Sequence, residues 1–120
     1  MAFSAFRPVD EYIAEYLVLV SAEGLEVRSP VVTSVGGDDL PGYIAGLAED
    51  FRGWPGVRRW RSLEDQLRVE ATLNNGGHVV LRFHVRPSVY DAWQISVDIT
   101  LEAGEQMKRL SQDLKAFLSK

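Results

Sequence analysis

Apolar and polar residues alternate through the second half of the chain. Leu67, Val69, Ala71 and Leu73 point one way, and Arg68, Glu70 and Thr72 point the other. That period of two predicts a strand with one wet face. Asn74-Asn75-Gly76-Gly77 follows as a turn, because Asn and Gly accept the positive φ of tight hairpins. The return segment keeps the rule, with Val79, Leu81, Phe83 and Val85 inside and His78, Val80, Arg82, His84 and Arg86 outside. Residues 87–91 predict a second turn. The third strand sets Trp93, Ile95, Val97, Ile99 and Leu101 inward and Gln94, Ser96, Asp98 and Thr100 outward. Three consecutive strands with a single buried face predict an antiparallel meander.

The first half carries both periods. Residues 15–20 (EYLVLV) and 25–35 read as two strands around a Ser-Ala-Glu-Gly turn, with Pro30 at an edge or a bulge because it donates no ladder hydrogen bond. Residues 9–14 allow a short helix capped by Asp10. After Gly36-Gly37, Leu40, Ile44, Leu47, Ala48 and Phe51 recur at helical spacing. The predicted helix spans 39–52, with Asp38 or Asp39 as its cap, Pro41 in its first turn, and Gly53 and Pro55 as its stop. Residues 53–63 form a loop, or a loop with a short irregular strand. A last helix over 103–118 buries Met107, Leu110, Leu114, Phe117 and Leu118. Glu102 and Glu105 lie at its positive end, Lys115 and Lys120 at its negative end.

Together these elements predict a single α+β domain over residues 1–120. It is a two-layer sandwich in which a mostly antiparallel sheet of about five strands (hairpin, helix, three-strand meander, helix) packs one face against two helices. The periodicity leaves the strand order open. The length of 120 residues fits one core.

Composition removes chemistry rather than adding it. The chain has no cysteine, so disulfides, thiolate catalysis and cysteine-ligated metals are excluded. His78 and His84, the two histidines, share a strand face but stand roughly 20 Å apart at about 3.3 Å per residue, too far for joint ligation. No metalloprotease helix, nucleophile elbow or phosphate loop is present. Catalysis, cofactors and metals are therefore not expected. The first ten residues lack a basic-then-apolar leader and no apolar run spans a bilayer, so the expected setting is the cytoplasm.

The net charge of −4 hides an asymmetry. Residues 1–50 hold two arginines against nine acids, whereas Arg52, Arg58, Arg59 and Arg61 crowd into ten residues. An acidic whole with one short basic stretch does not suit nucleic acid, which needs a broad basic footprint. It suits a protein partner. Trp54, Arg58, Arg59, Trp60 and Arg61 combine the residue types enriched at binding hot spots. The competing expectation is that both tryptophans fold back over the core with their arginines in water. Arg82, His84 and Arg86, on one strand face, form a second candidate surface for an anion or an acidic partner.

Residues 39–118 also resemble a group of small actinobacterial proteins of unknown function. The resemblance lies in the leucine-rich helix, Gly53-Trp54, the charged segment 60–67, the Gly77-His78 hairpin and the Glu102-Ala103-Gly104-Glu105 helix start. The same motifs are loosely similar to immunity proteins of the wall-associated toxin type. The resemblance implies a non-enzymatic protein that neutralises a toxin by binding it. The alternatives are a homodimer, or a small-anion module built on the polar sheet face.

Overall fold

The computed structural model describes residues 1–74, 76–87 and 93–119. Its element order is β1 (Ala2–Pro8), β2 (Ile13–Ala22), β3 (Leu25–Ser34), a short 3-10 turn (Gly37–Asp39), α1 (Leu40–Glu49), β4 (Arg58–Arg61), β5 (Leu67–Leu73), β6 (His78–Val85), β7 (Ile95–Glu102) and α2 (Glu105–Leu118). The α+β class and the antiparallel pairing agree with the sequence pattern. The single five-stranded sheet does not. There are seven described strands in two sheets, ordered β1-β2-β3 and β4-β5-β6-β7, with every pairing antiparallel.

Two strands account for the difference, and each hides its period. In β1 the register shifts between Ser4 and Arg7, with Ala5 at φ 55°. This bulge lets Phe3 and Phe6, three residues apart, both pack on Phe117 of α2, with ring centroids 6.3 and 5.8 Å away. β4 is four residues long and three of them are arginine, so it has almost no apolar signal. Residues 9–12 form the β1–β2 connection and not a helix. Asp10 Oδ1 accepts from the Tyr12 and Ile13 amides at 2.7 and 2.8 Å, an Asx turn. Pro30 lies in edge strand β3, where a missing donor is tolerated.

Helix α1 is shorter than the 39–52 its spacing predicts. It ends at Glu49, and Phe51 leaves the apolar stripe and is 51% exposed. Pro41 does occupy the first turn, but neither Asp38 nor Asp39 caps the helix with its side chain. Both adopt left-handed backbone, at φ 56° and 60°. Trp93 lies before β7 and is 40% exposed, whereas the alternation placed it inside. Asn75, the turn over 88–91 and Lys120 lie outside the described residues.

One apolar cluster joins everything. The inner faces of β2 (Tyr16, Val18, Val20), β5 (Leu67, Val69, Ala71) and β6 (Val79, Leu81, Phe83, Val85) meet Leu40, Ile44 and Leu47 of α1 and Met107, Leu114 and Leu118 of α2. At some 25 cal/mol per Å² of apolar surface, this shared burial is the main force holding the sheets together. Polar bridges then fix their relation. The Val32 amide donates to Gln66 Oε1 at 2.7 Å, and the Trp60 indole donates to the Asp38 carbonyl at 2.9 Å. Among the described residues no helix is long and apolar enough to cross a membrane.

Candidate functional site

The polar face of the four-stranded sheet is a lattice set by register. Arg61, Arg68, His84 and Ser96 lie side by side across β4, β5, β6 and β7. Arg59, Glu70, Arg82 and Asp98 form the adjacent row. Alternation put these side chains outside, and only the pairing of strands made them neighbours.

Most of the charges are compensated within the lattice. Arg82 grips Asp98 through two hydrogen bonds, of 2.8 and 3.0 Å, which hold the Asp98 carboxyl below the usual carboxylate range. His84 bridges two strands, with Nε2 2.5 Å from Glu70 Oε1 and Nδ1 2.8 Å from Ser96 Oγ. A neutral ring protonated on Nε2 satisfies both, donating to Glu70 and accepting from the serine hydroxyl. Arg86 donates through Nε to the Asp65 carbonyl at 3.1 Å, and Arg61 lies 3.2 Å from the Asp65 carboxylate. Arg59 stands 3.6 Å from Glu70. Both acids are thus already shared between two basic partners.

Arg68 is the exception. It faces Arg61 on one side, a like-charge neighbour that a sheet ordinarily avoids, and the His84 ring on the other. Among the described residues it has no carboxylate partner. Among those residues its one side-chain hydrogen bond runs from Nη2 to Gln94 Oε1 at 3.3 Å, and its buried Nε has no acceptor. Beside it lies a groove of about 550 Å³ lined by Arg59, Trp60, Arg61, Asp65, Arg68 and Glu70, with His84 at its wall. A larger groove of about 1060 Å³ runs between the helices, but its walls are Gly42, Ala45 and Ala48 of α1 against Lys108 and Gln112 of α2. That larger groove mixes Asp39, Glu49 and Glu105 with Lys108 and Lys115, whereas the sheet groove holds Arg68 without a carboxylate partner among the described residues.

The tryptophan–arginine stretch divides in two. Trp54 and Trp60 are half-buried against the core, and the Trp54 indole donates to the Ala71 carbonyl at 3.2 Å. Arg58 lies over the Trp54 ring at 5.0 Å and reaches Asp50 at 2.5 Å. These three side chains close the open end of the core. Arg59 and Arg61 point outward and join His84 in the groove, while Arg82 is held by Asp98 and Arg86 by Asp65. The sequence reading did not single out Arg68, Glu70, Asp65 or Ser96. Their signal is one of register, since Arg68 and Glu70 are outward positions whose neighbours depend on hairpin alignment.

Ser96, His84 and Glu70 have the connectivity of a nucleophile, base and carboxylate. Their setting is wrong for acyl transfer, because strand amides lie in the plane of the sheet and do not rise above it to hold an oxyanion. What the bridge does is fix β5, β6 and β7 on their outer side. Among the described residues no cluster of three or more His, Cys, Asp or Glu has metal-binding geometry.

The family model DUF6228, a family of unknown function, matches residues 1–120. The chain belongs to this family. No curated protein matches it, and no solved structure does. Membership covers the 39–118 segment together with the β1–β2–β3 sheet, so both sheets belong to the family's shared unit.

The hydrogen bond from His84 holds Glu70 below its ordinary carboxylate range. A depressed folded-state value adds stability above the unfolded carboxylate range, near pH 4.3, and loses it as the pH falls. Glu70→Gln is therefore expected to lower stability at neutral pH by less than about 1 kcal/mol, because the pair is partly exposed. Urea melts at neutral and acid pH check this. The deficit should vanish in acid, and a deficit that persists there assigns it to packing.

Proposed function

We propose that the protein works by binding a protein partner through the outer face of the four-stranded sheet, and that this partner is a toxin it neutralises in the cytoplasm. The observation that carries the binding reading is the cationic pair Arg61 and Arg68, in the row that ends on His84 and Ser96, held on rigid strands beside a groove. Like charges placed side by side cost the free protein stability, and a partner that brings negative charge relieves that cost. The side chains around the row are already ordered by their mutual hydrogen bonds, so little freedom is lost on docking. A second copy of the chain is a poorer occupant, because an isologous contact would set this row against itself.

The toxin reading rests on the resemblance of residues 39–118 to immunity proteins, and the resemblance to small actinobacterial proteins says where to look. The test is co-expression with the product of each neighbouring gene in such a genome. A neighbour that arrests growth alone, is tolerated beside this protein and co-purifies with it in a stoichiometric complex supports the proposal. Arg68→Glu should abolish both protection and the complex. If no neighbouring product is toxic or forms a complex, the toxin reading falls.

A further inference from the structure

We infer that the Nε–Nη2 edge of Arg68 is a seat for a single oxyanion group, occupied in the free protein by Gln94 as a placeholder. The inference rests on the binding face proposed above and names what that face receives, an Asp or Glu carboxylate of the partner. A guanidinium takes a carboxylate through two parallel N–H donors. On Arg68, among the described residues, only one donor of this edge has an acceptor, the neutral amide oxygen of Gln94 at 3.3 Å, and Nε has none. A buried donor on a cation without an acceptor is costly, so its presence in the middle of a well-paired lattice needs a reason.

The surroundings point the same way. Arg61 flanks Arg68 in register and adds positive charge and donor capacity on one side, while the neutral His84 ring on the other side adds no negative charge. Of the described carboxylates nearby, Asp65 is engaged by Arg61 and Arg86 and Glu70 by His84 and Arg59, so neither is free to turn to Arg68. The groove offers about 550 Å³, room for an acidic side chain and its waters. Gln94 is exposed and lies just before β7, where it can swing away without breaking a ladder. An incoming carboxylate replaces one long hydrogen bond to a neutral amide with two to an ionised acceptor.

The experiment follows the Arg68 Nε–H resonance by NMR in the full chain. Acetate, inorganic phosphate and a short glutamate-bearing peptide are titrated at constant ionic strength, with chloride as control. A saturable shift with acetate and with the peptide, absent with chloride, is expected. Arg68→Lys, followed through the His84 backbone amide, should weaken binding about tenfold, since lysine keeps the charge but loses the fork. Gln94→Glu should fill the seat from within, raising the melting temperature and abolishing the titration. A shift that chloride reproduces, or one that survives Gln94→Glu, overturns the inference. Saturation by phosphate or acetate with none by the peptide reassigns the seat to free small anions and overturns the side-chain source. If Gln94→Glu still binds a toxin partner at full strength, the seat is refuted while the partner reading stands. If the seat titrates but no partner is found, the seat stands without it.

Discussion

Replacing Asp38 with alanine is expected to destabilise the protein by about 3 kcal/mol, because a single carboxylate clasps the two sheets. Asp38 accepts from Thr33 Oγ1 at 2.9 Å, the Ser34 amide at 3.0 Å, Ser34 Oγ at 2.5 Å and the Leu63 amide at 2.8 Å. The first three donors belong to β3, and the fourth to the β4–β5 connection of the other sheet. The Asp38 carbonyl also holds the Trp60 indole. Alanine strands the Ser34 and Leu63 amides, leaves Thr33 Oγ1 only the Ser34 carbonyl at 3.1 Å, and sits poorly at φ 56°, a conformation Asp and Asn tolerate. Asp38→Asn keeps the backbone preference and one carbonyl oxygen, so it should lose clearly less. Equilibrium urea unfolding measures both. A loss under 1 kcal/mol for alanine would show that apolar burial alone holds the sheets in place.

Tyr16 should respond in opposite directions to two substitutions. Its ring stacks on Phe3 with centroids 5.6 Å apart and meets Phe117 edge-on at 6.1 Å, and the residue is 1% exposed. Tyr16→Ala opens a cavity where β1, β2 and α2 meet and should cost about 4 kcal/mol. Its hydroxyl, in contrast, is buried with no hydrogen-bond partner among the described residues. Tyr16→Phe removes that unpaired group, so stability should be unchanged or higher by up to about 1 kcal/mol. The pH dependence separates the two forms further. Burial, with the negative charge of Asp38 adding to it, pushes the Tyr16 phenol well above its ordinary value. A raised folded-state value stabilises the fold below the unfolded phenol's pKa, near 10, and that stability drains away as the pH climbs past it. Thermal melts across the alkaline range should show the wild type falling faster than Tyr16→Phe. Parallel curves would show that the Tyr16 phenol titrates in the folded protein as it does in the unfolded chain, its hydroxyl reached by water.

Where the period was clean, the sequence was a good guide to the elements. β5, β6, β7 and α2 stand close to where alternation and helical spacing put them, because each buries one face and that burial dictates residue type at every second or every third-to-fourth position. β1 was illegible because its bulge moves Phe3 and Phe6 off the period of two. β4 was nearly so because three arginines leave one apolar residue, Trp60, to mark its inner face. Asp38 and Asp39 looked like helix caps, yet a carboxylate at a helix start has several donors within reach, and the nearest for Asp38 proved to be those of β3.

The candidate site divides along the same line. Arg59, Arg61 and His84 drew attention as residue types, and they do line the groove. Trp54, Arg58 and Trp60 drew it equally, but Trp54 packs against the core with Arg58 over its ring, and Trp60 packs there while also lining the groove. Nothing in the order of residues separates the two groups, because indole and guanidinium serve burial and recognition alike.

By itself, then, the sequence determined the α+β class, the antiparallel meander, the two amphipathic helices and which side chains of β5, β6 and β7 face outward. Those follow from periodicity, which is local. Only the tertiary structure decided that the strands split into two sheets, that Asp38 clasps them, and that Arg68 stands between Arg61 and His84 with a donor to spare. Those depend on register and on contacts between distant segments, where a shift of one residue exchanges every neighbour without altering the local pattern.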